Sequence, residues 1–312
     1  MILVTGSNGY VGLTLIPLLK KSHKVMGVDL SSGGCTDWVN DIGSTSLHSK
    51  LKGLKGSEIS VVNLAAARFD FGAHADAYYK MNITDHEKFL ETLVGFNIKT
   101  FIHISSVASM DGKKLLFSPN LNCDDAYRST KYLQEKLIEE WCCRNNIQLI
   151  ILYPSAIFSD EHRGDTNIGK MQALSKYIPF VPDIRVKKTL TFLPKFSAFI
   201  DQALAGTLNA GKYLTVERPI LTVTEIVKIL SGNHRRIVQI PFFKKILTVI
   251  ADFLNVIGGF GRVDLKLTPN RVVKLFSDTS YDDHDLDIDC FTYNEDSSLD
   301  LRLILQRFNN IE

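Results

Sequence analysis

Tyr127 and Lys131 stand four residues apart at the start of a helical stretch, so both side chains share one face and can reach one ligand. A free tyrosine has a pKa of about 10, too high for efficient proton transfer near neutrality. A neighbouring ammonium favours the phenolate, which makes Tyr127 a usable base. Alone, such a pair reads as an amphipathic surface pair. What changes that reading is the apolar run Phe101-Ile102-His103-Ile104, which leads directly into Ser105-Ser106. Hydroxyls are thereby placed at the carboxyl end of a central strand, where open α/β sheets bind ligands. A serine there can hydrogen-bond a substrate hydroxyl as it becomes a carbonyl.

A second group of residues suits a dinucleotide. Val4-Thr5-Gly6-Ser7-Asn8-Gly9-Tyr10-Val11-Gly12 ends a strand and opens a helix, with GxxGxxG spacing. Gly6 permits the tight turn, Gly9 lets a pyrophosphate approach the backbone, and Gly12 allows close packing of helix on sheet. The helix N-terminus supplies N–H groups and the positive end of its dipole to the phosphates. The second strand, Val25-Met26-Gly27-Val28, ends in Asp29, near the distance at which a carboxylate meets the ribose hydroxyls of the adenosine. A carboxylate there repels a 2'-phosphate and no arginine lies nearby to hold one, so NAD is expected rather than its phosphorylated form.

These residues need a frame. Short β-branched runs alternate with helical patterns in the first half, the signature of crossover units building a parallel sheet. Strands are expected at Ile2-Thr5, Lys24-Val28, Ile59-Leu64, Thr100-Ser105 and Gln148-Tyr153, and helices at Tyr10-Lys20, Asp85-Gly95 and Tyr127-Arg144. Most strands are apolar without alternation, as strands covered on both faces should be. Pro17 falls inside the first helix and is expected to bend or shorten it. The fold class is thus α/β, a Rossmann-type doubly wound parallel sheet with a smaller C-terminal substrate-binding lobe. Residues 1–165 form the dinucleotide-binding domain and residues 166–312 mainly the lobe, with segments near 188–216 returning to the first sheet.

The 312 residues suffice for a full core. At 45% hydrophobic, 22% charged and a formal net charge of +2, the chain is an ordinary globular one with no sign of a polyanion partner. The five cysteines show no paired CxxC spacing, and the eight histidines are scattered with no HExxH, so neither a metal site nor nucleic-acid binding is expected. Met1-Ile2-Leu3-Val4 reads as a buried strand, not a leader, and a cytoplasmic location is expected. The apolar stretch Ile246 to Phe260, preceded by Lys244-Lys245, is too short to span a bilayer and reads as a core or an interfacial helix.

Over essentially its full length the chain resembles an extended short-chain dehydrogenase/reductase of the NAD-dependent epimerase/dehydratase family. The matching residues are Gly6 to Gly12, Asp29, Asp41-Ile42, Asn63-Leu64-Ala65-Ala66-Ala67, Asn82, Ser105-Ser106 and Tyr127-Arg128-Ser129-Thr130-Lys131. The resemblance implies a Ser-Tyr-Lys site of Ser106, Tyr127 and Lys131. It also implies cofactor contacts from Gly6, Asn8, Gly9, Tyr10, Val11, Gly12, Asp29, Asp41, Ile42, Leu64, Ala65, Ala66, Asn82, Tyr127, Lys131, Tyr153 and Ser155. Asp41 and Ile42 would flank the adenine, and Asn82 would order the site behind Lys131. A homodimer through helices near Asp85-Gly95 and Tyr127-Arg144 is implied as well.

The chain departs from the family pattern at two places. The serine strand continues as Ser106-Val107-Ala108-Ser109-Met110-Asp111-Gly112; counted forward from the strand the catalytic hydroxyl is Ser106, counted back from Gly112 the position falls on Val107, and Ser105 and Ser109 stand in reserve. In Tyr153-Pro154-Ser155, tyrosine precedes the proline where the family often has arginine.

Dehydration in this family uses an Asp-Glu pair directly after the catalytic hydroxyl, and here those positions are Val107 and Ala108. Epimerisation and simple oxidoreduction need only the parts that are present, and the sequence does not separate them. The expected function is an NAD-dependent epimerase (isomerase) or oxidoreductase acting at C4 of a nucleoside-diphosphate sugar, with a UDP-sugar as substrate. The alternatives are a reductase or dehydrogenase of a non-sugar alcohol or ketone and a non-catalytic dinucleotide sensor. A pyrophosphate calls for cations, and Arg262, Arg271 and Lys274 are the candidates, with Arg163 and Arg185 behind them. The stretch Leu267 to Leu275 is similar to the corresponding region of bacterial enzymes acting on UDP-N-acetylhexosamines at C4.

Overall fold

The structure, a computed structural model of the chain, describes residues 1–67, 75–116, 123–160, 166–232, 234–260, 269–281 and 300–310. The apolar run Ile2–Thr5 forms β1, buried along its whole length. After it come α1 (Tyr10–Leu19), β2 (Val25–Asp29), the two-residue β3 (Trp38–Val39), α2 (Thr45–Lys52), β4 (Glu58–Asn63) and α3 (Ala75–Tyr79). A π-helical turn (Lys80–Thr84) leads straight into α4 (Asp85–Thr92), followed by β5 (Asn97–Ile104), a 3-10 turn (Val107–Asp111), α5 (Gly112–Leu115), α6 (Cys123–Arg144) and β6 (Gln148–Pro154). The chain continues through β7 (Ala156–Phe158), α7 (Asn167–Tyr177), β8 (Val181–Pro182), β9 (Lys187–Lys188), β10 (Leu190–Phe192), α8 (Leu193–Leu204) and β11 (Gly211–Thr215). Last come β12 (Leu221–Thr222), α9 (Val223–Leu230), β13 (Ile237–Val238), α10 (Phe243–Phe260), α11 (Pro269–Leu275) and α12 (Leu301–Asn310).

Seven strands form one parallel sheet in the order β11-β6-β5-β4-β1-β2-β3. From β1 the chain winds one way through β2 and β3 and then the other way through β4, β5 and β6. The strand order therefore reverses between β1 and β4, and a crevice opens there beyond their carboxyl ends. Gly6 and Leu64 stand at its two lips, in register through Thr5 opposite Asn63.

Both faces of the sheet are covered, which is why its strands lack alternation. On one face Leu3, Val61, Ile59 and Phe101 pack with Leu47 and Leu51 of α2, Phe89 and Leu90 of α4 and Ile138 and Trp141 of α6. Phe101 meets Trp141 edge to face at 6.2 Å between centroids, and truncating so buried a phenylalanine to alanine costs about 3–5 kcal/mol. Elsewhere in this unit α1 packs on α8, which buries Phe196, Phe199 and Ile200. Pro17 does not stop α1: the helix runs through it to Leu19, with Pro17 on the exposed side, where the carbonyl it leaves unbonded can face water. The expected shortening is absent.

By compactness the chain divides into two units, one containing Met1–Ser155 and Thr191–Thr215, the other containing Ala156–Leu190, Val216–Leu286 and Asn294–Glu312. In the second unit α9 packs against α7 and α12. A capping box starts α9: the Thr222 hydroxyl accepts from the Glu225 N–H, and the Glu225 carboxylate accepts from the Thr222 N–H. Among the described residues, no helix is long and apolar enough to cross a membrane.

Candidate active site

The loop after β1 is shaped by two glycines. Gly6 holds a left-handed backbone with φ of +68°, and a Cβ there would approach the backbone of Leu64 and Ala65 to 2.9 Å. At Gly12 a Cβ would drive into the Ser7 carbonyl, so the first turn of α1 lies directly on the loop. Gly9 occupies the N-cap of α1 and contributes no side-chain oxygen to the first-turn N–H groups, the arrangement in which a helix N-terminus takes an anion. At the end of β2 the Asp29 carboxylate accepts from the Asn8 N–H at 2.9 Å and from the Ser31 N–H and hydroxyl at 3.0 and 2.9 Å. A carboxylate is thus fixed beside the glycine loop. Further along, Asp41 accepts from the Gly43 N–H at 2.9 Å and lies 3.4 Å from the Lys80 ammonium, while Ile42 is buried. This cradle, without a Cβ at Gly6, Gly9 and Gly12 and flanked by a carboxylate, fits a dinucleotide.

On the other lip, the Thr5 hydroxyl donates to Asn63 Oδ1 at 2.6 Å and accepts from the Ala65 N–H at 3.3 Å, which sets the path of Leu64, Ala65 and Ala66. Asn82 sits buried in the π-helical turn, accepts from the Ala67 N–H at 2.7 Å and donates to Thr130 Oγ1 at 3.0 Å. It therefore ties the exit of β4 to the helix that carries Tyr127 and Lys131. A single π turn inside a helix commonly marks a functional position.

Lys131 is buried. Its ammonium donates to the Ile104 carbonyl at 3.0 Å and to Gln134 Oε1 at 2.6 Å. Burial pulls its pKa from 10.5 down to about 7, against the opposing charge of Glu135. The Gln134 amide in turn donates to His86 Nε2 at 2.8 Å and to the Ala65 carbonyl at 3.2 Å, and His86 Nδ1 lies 2.7 Å from the Met81 carbonyl. One proton arrangement satisfies all of these: neutral His86, protonated on Nδ1. Burial in the first place, then the charge on Lys131, holds its pKa down at about 4, against the pull of the Met81 carbonyl. Burial likewise keeps His103 neutral, its Nδ1 3.2 Å from the Asn63 amide. Tyr127, one turn before Lys131 on α6, is half-buried and meets the ring of Tyr78 edge to face.

The three serines after β5 differ in environment. Ser105 and Ser109 are buried, 3.0 Å apart, and both hydroxyls reach Glu135 Oε2, at 3.1 and 3.3 Å. Ser106 is half-buried at the N-cap of the 3-10 turn, where its Oγ accepts from the Ala108 N–H at 3.2 Å. Glu135 also accepts from the Tyr153 hydroxyl at 2.6 Å and from Lys212 at 2.8 Å. Tyr153 therefore lies in the interior, and burial together with the Glu135 charge raises its pKa. The Ser155 N–H donates to Thr191 Oγ1 at 2.9 Å.

The residues proposed for a pyrophosphate fare unevenly. Arg163 and Arg262 lie outside the described residues, as does the side chain of Arg271. Lys274 is half-buried near the end of α11, where its carbonyl accepts from Lys188. Arg185 is exposed and paired with Asp183 at 3.1 Å. Gln134, Glu135 and His86 also belong to the site, although no motif marks them. Their signal was positional: Gln134 and Glu135 follow Lys131 at i+3 and i+4, on the face the chemistry uses.

A sequence profile described as the NAD dependent epimerase/dehydratase family matches residues 2–178. No curated protein matches the chain by sequence. Among solved structures it is similar to a UDP-N-acetylglucosamine 4-epimerase from Methanobrevibacter ruminantium M1 in complex with UDP-N-acetylmuramic acid, at 19% identity and a TM-score of 0.61, covering 77% of this chain and 86% of that one. It is similar also to a UDP-glucuronic acid 4-epimerase from Bacillus cereus in complex with NAD, at 19% identity and a TM-score of 0.59, covering 76% and 87%. A Bacillus cereus UDP-N-acetylglucosamine 4-epimerase aligns at 16% identity with a TM-score of 0.62, covering 77% and 84%. At such identities the structural likeness establishes the fold.

Proposed function

The chain belongs to the NAD-dependent epimerase/dehydratase family, and we propose that within it the protein interconverts the C4 configurations of a UDP-N-acetylhexosamine. The observation that carries this reading is the fixed Lys131 ammonium, one helical turn from Tyr127 and bonded to the last carbonyl of the strand that delivers Ser106. NAD, the family's cofactor, supplies the acceptor and donor of hydride. Gly6, Gly9 and Gly12 would let its phosphates reach the N-terminus of α1, and Asp29 would meet the adenosine ribose. Asp41, Ile42 and residues 64–66 would line the remainder of the site.

Tyr127 removes the proton of the C4 hydroxyl, and Lys131 stabilises the phenolate by its charge. The Ser106 hydroxyl donates a hydrogen bond to the same oxygen as it becomes a carbonyl, keeping its own proton. The engagement of Ser105 and Ser109 with Glu135 supports Ser106 as the hydroxyl that meets substrate. Val107 and Ala108 provide neither acid nor base for expulsion of water, which favours epimerisation over dehydration. Arg262, Arg271 and Lys274 remain the proposed pyrophosphate cations, and association as a homodimer through α4 and α6 is part of the same reading.

Incubation with NAD and UDP-N-acetylglucosamine should give a product of unchanged mass and altered configuration, resolved by chromatography. Tyr127→Phe should abolish turnover while NAD titration stays nearly unchanged. Full activity of that variant refutes the assigned base, and a product two hydrogens lighter replaces epimerase with dehydrogenase.

A further inference from the structure

In the second unit, α10 carries two apolar faces. One is turned inward: Phe243 packs edge to face on Phe276 with ring centroids 6.0 Å apart, and Ala251, two turns on, is fully buried. The other is bare. Ile246, Val249, Ile250 and Phe253 recur at i, i+3, i+4 and i+7, and are 45%, 67%, 42% and 64% exposed. Such spacing makes a single stripe along the helix. Phe242 stands at its head, 73% exposed, with a positive φ of 58° that a bulky side chain seldom adopts. Ile237 and Val238 of the short β13 are exposed just before it.

The charges around this stripe are mostly of one sign. Arg236, Lys244 and Lys245 are exposed, and the Lys245 ammonium lies 5.5 Å from the centre of the Phe242 ring, alongside the apolar face. Against them, from Arg236 to Phe253, the only carboxylate is Asp252. A bare apolar stripe headed by aromatic residues and lysines is the pattern of a helix lying in a membrane interface, its side chains in the acyl boundary and its cations among headgroups. The same stripe of a second copy would answer three cations with one carboxylate, whereas an anionic surface answers all three.

We propose that the exposed face of α10, with Phe242, Lys244 and Lys245 at its head, docks the protein on the surface of an anionic lipid bilayer. The attachment is peripheral. It does not depend on the sugar-epimerase reading, and loss of either leaves the other standing.

The test is co-sedimentation of the full chain with vesicles of phosphatidylcholine alone or mixed with phosphatidylglycerol. The wild type should pellet with the mixed vesicles and much less with the neutral ones, and added salt should weaken the binding. Lys244→Gln with Lys245→Gln should weaken it roughly 25-fold, about fivefold for each charge near the surface. Val249→Ser with Phe253→Ser should abolish it, with circular dichroism unchanged because both positions are exposed. As a second measurement, Phe253→Trp should shift its emission to the blue when anionic vesicles are added. Equal binding by Val249→Ser/Phe253→Ser, no preference for anionic vesicles, or no blue shift overturns the proposal. So does a wild-type dimer that Val249→Ser/Phe253→Ser dissociates, since the stripe is then covered by a second copy.

Discussion

Replacing Lys131 with methionine tests whether its ammonium is held at the edge of ionisation. In the fold its pKa is about 7, against an ordinary 10.5, because burial strips water from the charge. In the unfolded chain the lysine keeps its proton up to the ordinary value. Between those limits the unfolded state binds one proton more than the folded state, so stability rises with pH by about 1.4 kcal/mol per unit. From pH 7 to pH 9 the wild type should therefore gain about 2–3 kcal/mol relative to Lys131→Met. Below pH 7 both states are protonated and the two proteins should run parallel. Methionine also leaves Gln134 Oε1 and the Ile104 carbonyl without a donor, at about 1–3 kcal/mol for each buried orphan. That cost does not vary with pH, so it cancels from the slope. Reversible urea unfolding of both proteins without cofactor, at one-unit steps from pH 6 to pH 9, reads the difference directly. Parallel curves across pH 7 to 9 would refute a lysine whose proton is loosened by burial.

Gln134→Leu removes the acceptor 2.6 Å from that ammonium; a hydrogen bond to a charged group is worth about 1.5–3 kcal/mol, so the onset of the rise should move about one to two pH units lower. Gln134→Glu should move it higher, and an onset common to all three proteins would show that Gln134 does not bias the proton. Asp29→Ala should weaken NAD and narrow its advantage over the phosphorylated dinucleotide, measured by titration of both; an unmoved preference would mean the ribose is read elsewhere. Gly12→Ala puts a Cβ into the Ser7 carbonyl and should cost about 1–3 kcal/mol in thermal unfolding together with at least a tenfold loss of NAD affinity. Wild-type behaviour in both assays would show that the close approach of helix to loop is not needed.

The parts of this molecule that were legible in its sequence are those set by local rules. Ile2-Thr5 reads as a strand because it is apolar throughout, and β1 has those very bounds. Gly6 and Gly12 read as a tight strand-to-helix turn because glycine best tolerates a left-handed backbone and a helix laid directly on the loop. The short β3 at Trp38–Val39 and the helix α2 were not anticipated: a two-residue strand has no period, and α2 is a short helix with only Leu47 and Leu51 buried. Strand β5 starts at Asn97 and α6 at Cys123, each earlier than expected, because polar residues at those ends look like loop until a sheet or helix gives their backbone groups partners. The register of the serine turn is ambiguous for a similar reason, since the burial that separates Ser105 and Ser109 from Ser106 depends on Glu135, 26 to 30 residues further along the chain.

That carboxylate shows why the rest of the site was hidden. On a helix wheel, Lys131, Gln134 and Glu135 read as an ordinary charged face, and Glu135 as the i+4 partner of Lys131. In the fold all three are buried. Gln134 reaches toward Ala65 and His86, on the side of β4 and α4. Glu135, about 100° further round the helix, reaches Ser105, Ser109, Tyr153 and Lys212, on the side of β5, β6 and β11. Neighbouring residues of α6 thus fasten β4 and α4 to β5, β6 and β11, all on one side of the crevice, with Lys131 one turn before them. The partners lie up to 77 residues away in sequence, beyond any local pattern. Apolar side chains of similar size would pack those positions at least as stably, because a buried charge recovers its desolvation only through complete pairing. A fully paired polar cluster inside a helix that could have been apolar is therefore a mark of position rather than of stability, and here it points to the same crevice as the glycine loop, by an argument independent of any motif.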